Sequence, residues 1–204
     1  MHEEESKPMP NSPPPAGTPS GLFRPENRRA TDLCQDTDHC QDRGYQIRID
    51  HDGTWYYHGS PIRRPELVKL FSTVLRRDEA GDYWLVTPAE RGRIQVDEVP
   101  FTAIGLTVHG EGDAQELIFR TNLDIEVTAG PDHPIRVEES DGTGEPRPYI
   151  LVRDNLEARI TRSVFYELVE RAETLEDGEE VQVGIWSTRT FFPLGRPISR
   201  ATVS

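Results

Sequence analysis

The stretch HDGTWYYHGSPIRRPEL, residues 51–67, decides how the chain begins to fold. Residues 44–50, just before it, alternate apolar and polar side chains, which is typical of a half-buried strand. Asp52-Gly53 is a strong signal for a hairpin turn, and the three aromatic residues that follow suit the returning strand. Pro65 suits the first position of a helix, because its missing N–H costs nothing there. The stretch therefore predicts a hairpin followed directly by a helix.

Two apolar stripes with helical spacing predict two helices. The first stripe predicts a helix from Pro65 to near Asp78. It consists of Leu67, Val68, Leu70, Phe71, Val74 and Leu75. The second predicts a helix in the last third of the chain. It consists of Val164, Phe165, Leu168, Val169 and Ala172.

The order strand, turn, I-x-R, helix, strand, turn, strand occurs twice in the sequence. An offset of 98 residues aligns Ile62 with Ile160 and Arg64 with Arg162. Similarity at a fixed spacing indicates repeated structural units. Further strands are expected between the two copies. They lie near 103–109, 115–121, 124–129 and 134–138.

These patterns predict an α+β fold made of two tandem, internally similar, strand-rich units. Each unit is expected to contain a hairpin, one main helix and further antiparallel strands. We expect the first unit at residues 44–102 and the second at residues 103–204. Residues 1–43 are acidic and rich in proline, and we expect a disordered tail because such a segment buries too little apolar surface to offset its ordering entropy.

The formal net charge of −13 is concentrated in residues 111–180, which contain 19 acidic and 7 basic side chains. So acidic a surface repels phosphate backbones, so we expect no binding to nucleic acid. No apolar run approaches the roughly 20 residues that cross a bilayer, and the acidic start is not a signal peptide. We therefore expect a soluble, cytoplasmic protein without membrane association.

Motifs that identify catalytic or metal sites are missing from the sequence. No G-x-S-x-G, H-E-x-x-H, P-loop or G-x-G-x-x-G pattern occurs. Cys34 and Cys40 enclose a histidine, but structural zinc sites need four ligands at closer spacing. His51 and His58 should face opposite sides of a regular strand. The sequence therefore predicts no catalytic residue, cofactor or metal.

One polar cluster is a candidate site: Arg63, Arg64, Thr87, Glu90 and Asp97. Under one interpretation, Arg64 pairs with a carboxylate such as Asp97 and fastens the helix to the sheet. Under the other, the cluster forms a small pocket in which arginine binds an anionic ligand, or a carboxylate of a partner, through two parallel hydrogen bonds. Both interpretations stay open at this stage.

Several motifs together resemble the bacterial proteins grouped as domain of unknown function 1285. The similarity spans roughly residues 44–200 and is sharpest in the first half. It is carried by DG-x-W at 52–55, G-x-P-I-x-R at 59–64, L-V-x-L-F-S at 67–72, Y-x-L-V-T-P-x-E at 83–90 and V-D-x-x-P-F at 96–101. The resemblance implies two domains of internally similar α+β units on curved sheets, without an assigned enzyme activity and without catalytic residues to carry over.

We therefore expect an uncharacterised bacterial protein that acts as a non-catalytic binding or regulatory module of the signalling type. Its partner would be another protein or a small anionic ligand, and exposed sheet edges leave self-association open. The alternative is a hydrolase or other enzyme with a site between the two units, where pockets commonly form.

Overall fold

The predicted first hairpin is confirmed. Strand β1 (Asp42–Ile49) turns at Asp52-Gly53 into β2 (Trp55–Tyr57), and Ile49 pairs with Trp55. Both side chains are buried, because paired residues of a hairpin point to the same face.

The structure is a computed structural model that describes residues 42–140, 142–177 and 180–199. Of the expected tail at residues 1–43, residues 1–41, with Cys34 and Cys40, lie outside the described residues, and strand β1 already begins at Asp42.

The first unit forms a six-stranded sheet with one helix. After the hairpin come β3 (Ser60–Pro61), α1 (Pro65–Thr73), β4 (Leu75–Arg77), β5 (Tyr83–Val86) and β6 (Arg91–Val96). The strand order is β3-β2-β1-β6-β5-β4. The pairing of β1 with β6 is parallel and contains a bulge, whereas the other pairings are antiparallel. The expectation of further antiparallel strands therefore misses this central parallel pair.

The second unit contains two sheets and one helix. Its elements are β7 (Phe101–His109), a 3-10 turn (Gly112–Ala114), β8 (Glu116–Thr121), β9 (Glu126–Thr128), β10 (Ile135–Glu139), β11 (Pro146–Arg153), β12 (Leu156–Ile160), α2 (Arg162–Glu170), β13 (Glu173–Asp177), β14 (Glu180–Ser187), β15 (Thr190–Pro193) and β16 (Ile198–Ser199). One sheet has the order β10-β11-β12-β7-β8-β9, with β12 and β7 parallel. In the other sheet, β14 lies between β13 and β15 and also pairs with β16.

The first helix ends earlier than its apolar stripe indicates. The N–H of Val74 closes the helix on the carbonyl oxygen of Phe71, and Leu75 begins strand β4 instead of continuing the helix. Leu75 is fully buried opposite Leu85 of β5. Burial in the sheet decides this boundary, and the β-branched Thr73 and Val74 are weak helix formers in any case.

The repeat is confirmed, but its helices align at an offset of 97 and not 98. Both helices have nine residues, starting at Pro65 and Arg162, and both close on the carbonyl three residues before the cap. The offset of 98 aligned Leu70 with Leu168, yet Leu70 is 60% exposed and Leu168 is fully buried. The two helices therefore align at an offset of 97 residues, one residue less than the offset that aligns the I-x-R motifs before them.

A continuous hydrophobic core runs through both units. Its fully buried members include Leu75 from the first unit and Phe101, Phe119 and Leu168 from the second. Trp55 is 1% exposed and stacks on Phe71 of α1, with ring centroids 6.3 Å apart. The α+β class and the two tandem units are thus confirmed, while the boundary near residue 102 stays a prediction. In the described ranges, no helix has the length and apolar character needed to span a membrane.

Candidate functional site

The hairpin turn of the first unit docks on the second unit. Thr102 Oγ1 donates a hydrogen bond to the carbonyl oxygen of Asp52 at 3.0 Å, and Asn122 Nδ2 donates to that of Gly53 at 3.1 Å. Gly53 has a φ of 77°. A Cβ atom at this position would lie 2.7 Å from Asn122 Nδ2 and 2.8 Å from Thr102 Oγ1. The D-G sequence therefore serves the junction between the units as well as the turn.

Glu98, in the segment between the units, is a second point of attachment. Its carboxylate accepts hydrogen bonds from the Tyr149 hydroxyl at 2.6 Å and from Arg159 Nη1 at 3.0 Å. Burial, together with the hydrogen bond to Glu98, raises the pKa of Tyr149 to about 12. Both donors belong to the six-stranded sheet of the second unit, Tyr149 in β11 and Arg159 in β12, so Glu98 fastens the connecting segment to that sheet.

Two cavities lie where the units meet. One, of about 520 Å³, has mixed charge, and we call it the mixed cavity. Its charged lining consists of Arg77, Asp78, Glu79, Arg136, Glu138 and Glu157. The other, of about 480 Å³, has three cationic side chains and one carboxylate, and we call it the basic cavity. It is lined by Lys69, Ser72, Thr73, Arg76, Leu123, Ile125, Arg153 and Asp154.

The arginine of the mixed cavity is held by carboxylates. Arg136 binds Glu157 through two parallel hydrogen bonds, the Nη2–Oε2 bond measuring 2.8 Å, and it also pairs with Glu138. Its guanidinium carbon lies 4.2 Å from the centroid of the Tyr149 ring. The charge of Arg136 is therefore neutralised within the protein.

The arginines of the basic cavity are held differently. Arg153 Nη2 donates to the carbonyl oxygen of Ser72 at 2.6 Å, and Arg76 Nη1 donates to those of Thr73 and Leu75 at 3.0 and 2.6 Å. Over the described residues, no carboxylate forms an ion pair with either guanidinium, although Lys69 pairs with Asp124 at 2.8 Å. Burial lowers the pKa of Arg153, and the neighbouring charge of Arg76 lowers it further. The nearby Asp154 carboxylate acts on this pKa in the opposite direction. The cavity thus contains two half-buried cations whose hydrogen-bond partners are neutral carbonyl oxygens.

The predicted polar cluster is distributed over three places. Arg63 and Arg64 are exposed before α1. Thr87 and Glu90 hydrogen-bond each other across the β5–β6 turn, with Thr87 Oγ1 3.1 Å from both the N–H and the carbonyl oxygen of Glu90. Within the described residues, no hydrogen bond or ion pair joins Arg63 or Arg64 to the other three. That the five form one site stays a prediction.

Asp97, the fifth member of the cluster, binds Arg48 and not Arg64. Arg48 Nε donates to Asp97 Oδ1 at 2.9 Å, its Nη2 contacts Oδ2, and Gln95 Nε2 donates to Oδ1 at 3.1 Å. The Arg48 guanidinium holds the pKa of this carboxyl below its usual range. Asp97 therefore fastens β1 to the end of β6. Arg162, which the offset of 98 had aligned with Arg64, pairs at 3.0 Å with Glu145 on the surface.

The histidines of the opening stretch do not come together. His51 is exposed beside Asp52, with 3.4 Å between Nε2 and Oδ2, and His58 is exposed against the Tyr57 ring. Across the described parts of the chain, no group of three or more His, Cys, Asp or Glu residues is arranged to hold a metal ion. Most of residues 51–67 have a structural role, as the hairpin pattern indicated.

Sequence reasoning missed Glu98, Arg76 and Arg153. Their partners lie in distant parts of the chain or on the backbone, so no local motif marks them.

The architecture defines a class: an α+β protein of two tandem, strand-rich units, each with a six-stranded sheet and one helix. Residues 36–99 match the family model "Domain of unknown function (DUF1285), N-terminal domain", and residues 100–194 match "Protein of unknown function (DUF1285), C-terminal domain". The chain belongs to the DUF1285 family, which confirms the resemblance seen in the sequence motifs.

Two solved structures are similar to the chain. A DUF1285 family protein from Silicibacter pomeroyi DSS-3 is 43% identical with a TM-score of 0.69, and the match covers 78% of this chain and 83% of that chain. A DUF1285 family protein from Shewanella baltica OS155 is 20% identical with a TM-score of 0.49, covering 62% of this chain and 92% of that chain. No curated protein matches the chain.

Proposed function

We propose that the protein is a non-catalytic binding module that takes a small ligand at the junction of its two units. The observation that carries this proposal is that residues of both units line both the mixed and the basic cavity. Their volumes of about 520 and 480 Å³ lie within the usual range for small-molecule sites, roughly 300–1,000 Å³. A ligand held by both units would change how firmly they are joined, which is what a regulatory module requires.

The state of the carboxyl groups supports binding over catalysis. Glu98 and Glu157 are held by arginine or tyrosine donors. The pKa of Asp78 is lowered, chiefly by the Trp84 indole N–H, and the pKa of Asp97 is lowered by Arg48. A general acid or base for neutral pH needs a carboxyl pKa shifted upward. The lowered pKa values of Asp78 and Asp97 favour the ionised form, which suits these two carboxylates to hydrogen bonding and ion pairing within the scaffold and not to proton transfer.

A screen of the full chain by thermal shift, followed by calorimetric titration of every hit, tests the proposal. Ligand at 100 times its dissociation constant adds about 2.7 kcal/mol to stability, which raises the melting temperature by several degrees. We expect at least one class of small metabolite to bind with one-to-one stoichiometry. If charged, polar and apolar ligands all leave the melting temperature unchanged, the binding-module proposal fails.

An enzyme acting in the mixed cavity is the second candidate, because four carboxylates line that cavity. Ester, amide and phosphoester probes distinguish the two functions. Turnover that is lost in Glu138→Gln, with the fold intact by circular dichroism, would favour the enzyme. Ligand binding without turnover favours the module.

A basic protein is the other kind of binding partner to test, because residues 111–180 carry most of the negative charge of the chain. Attraction between an acidic surface and a basic partner weakens as salt is added. Capture that is indifferent to ionic strength would remove this electrostatic interpretation.

A further inference from the structure

The arginines of the basic cavity are held by the backbone. Arg136 and Arg159 at the junction each bind a carboxylate, whereas Arg76 and Arg153 bind only carbonyl oxygens within the described residues. Arg77 of the mixed cavity also has no ion pair among the described residues, but its Nε is buried without a hydrogen-bond partner. Two like charges brought together in a half-buried place repel each other. An anion bound between the two guanidinium groups would relieve this repulsion.

The donor count of the two guanidinium groups leaves room for a ligand. A guanidinium has five N–H donors on three nitrogens. The hydrogen bonds above use Nη2 of Arg153 and Nη1 of Arg76, so the remaining nitrogens of each group keep their donors. Lys69, from one turn before the end of α1, adds a third cation to the lining.

The negative groups around the cavity are largely compensated. The end of a helix presents carbonyl oxygens that disfavour an anion, but the carbonyls of Ser72 and Thr73 already accept bonds from Arg153 and Arg76. Asp124 is occupied by Lys69, and Asp154 is the single carboxylate in the lining. The balance of the cavity is positive in a chain whose net charge is −13.

We propose, building on the binding function above, that the basic cavity binds a small organic phosphate, with the phosphoryl group between Arg76 and Arg153 and the carbon portion against Leu123 and Ile125. Arginine forks match phosphate oxygens through paired hydrogen bonds. The two guanidinium groups, from β4 and β11, offer several N–H donors, which suits a group with three or more acceptor oxygens better than a planar carboxylate, while Lys69 of α1 is paired with Asp124. The two aliphatic side chains give the site a place for the rest of the molecule.

The experiment is calorimetric titration of the full chain at low ionic strength with inorganic phosphate, phenyl phosphate and phenol. We expect phenyl phosphate to bind more tightly than inorganic phosphate, and phenol not to bind. Arg76→Gln should weaken both phosphate probes roughly tenfold or more, since charged hydrogen bonds are lost. Leu123→Ala should weaken phenyl phosphate and leave inorganic phosphate unchanged.

Arg171→Gln is the matched control, because it removes one positive charge from an exposed residue at the end of α2. It should bind both phosphates like the wild type. Equal weakening in Arg76→Gln and Arg171→Gln would overturn the proposal, because only net charge would then matter. Arg153→Lys provides a second folded variant and should bind phenyl phosphate more weakly than the wild type, because lysine lacks the fork.

The outcomes separate this inference from the function on which it rests. If no phosphate probe binds but another class of ligand does, the phosphate site is wrong and the binding module stands. If Leu123→Ala and Arg76→Gln bind phenyl phosphate as the wild type does, the phosphate lies elsewhere and this cavity is excluded. If no ligand of any class binds, both proposals fall.

Discussion

Arg153 Nη2 donates a 2.6 Å hydrogen bond to the carbonyl oxygen of Ser72, and this bond ties strand β11 of the second unit to the last turn of α1 in the first. Ser72 is 4% exposed, so its carbonyl has little access to water as an alternative partner. The Arg153 guanidinium carbon also lies 5.3 Å from the centroid of the Phe101 ring. The Arg153–Ser72 hydrogen bond is therefore one of several contacts that join the two units, beside those of Thr102, Asn122 and Glu98.

The first prediction follows from this bond. Arg153→Gln should lower the free energy of unfolding by about 1.5–3 kcal/mol, the usual value of a hydrogen bond to a charged group. Urea denaturation measures the change, with Arg171→Gln as a surface control expected to stay within about 0.5 kcal/mol of the wild type. Equal stability of the two variants would mean that the Arg153 bond contributes nothing to the junction.

The second prediction concerns Tyr149 at high pH. Its pKa is raised from about 10 in the unfolded chain to about 12 in the fold, so the folded state keeps its proton longer. The resulting stabilisation is complete below about pH 10 and is lost as the pH rises through about 12. Tyr149→Phe should make the alkaline fall in stability shallower, as followed by denaturation at several pH values. The phenolate absorbance of the wild type minus that of the variant should titrate near 12.

The third prediction concerns the pair of Arg48 and Asp97 at low pH. Arg48 lowers the pKa of Asp97, so the pair stabilises the fold above the unfolded value of about 3.9 and this contribution is lost as the pH falls through the folded value. The side chain of Arg48 is 48% exposed, so we expect Asp97→Asn to cost only about 0.2–1 kcal/mol at neutral pH. The difference from the wild type should vanish in acid. A difference that stays constant as the pH falls through the folded pKa of Asp97 would point to a packing role for Asp97 instead.

The fourth prediction compares two glycines with the same backbone conformation. Gly53 and Gly59 both have a φ of 77°, but a Cβ at Gly59 would meet nothing within 4 Å, whereas at Gly53 it would meet Asn122 and Thr102. Gly59→Ala should lower the free energy of unfolding only through backbone strain, by about 1–2 kcal/mol. Gly53→Ala should cause the same strain and also disrupt the docking of the turn, so its free energy of unfolding should be clearly lower than that of Gly59→Ala. Identical denaturation midpoints would contradict the docking role of the D-G turn.

Local signals predicted the hairpin, both helices and most strands, because turn residues and apolar spacing act over a few positions. They failed at Leu75, where the apolar side chain fits a helical stripe and an edge strand equally well. Only the burial of Leu75 against Leu85 decides between the two. Leu70 shows the same limit, since an apolar residue at helical spacing still lies 60% exposed when no element covers it.

The candidate site could not be read from local patterns at all. Arg153 and Ser72 are 81 residues apart, and Glu98 and Tyr149 are 51 apart. A single sequence holds no signal for such pairs. An arginine or a glutamate at a junction cannot be distinguished, in the sequence, from one exposed to solvent. The sequence-derived cluster instead grouped residues that were close along the chain, and the structure gives Asp97 a partner, Arg48, on another strand.

Strand β1 lies between β2 and β6 at the centre of the first sheet, and its parallel partner comes more than forty residues later. During synthesis, β1 therefore leaves the ribosome long before the strand that completes its pairing. Pairings of this separation must close a long loop before they gain contacts, which slows folding. The complete sheet of the first unit can therefore form only after β6 has been synthesised. Until then, the β1–β2 hairpin lacks its parallel partner.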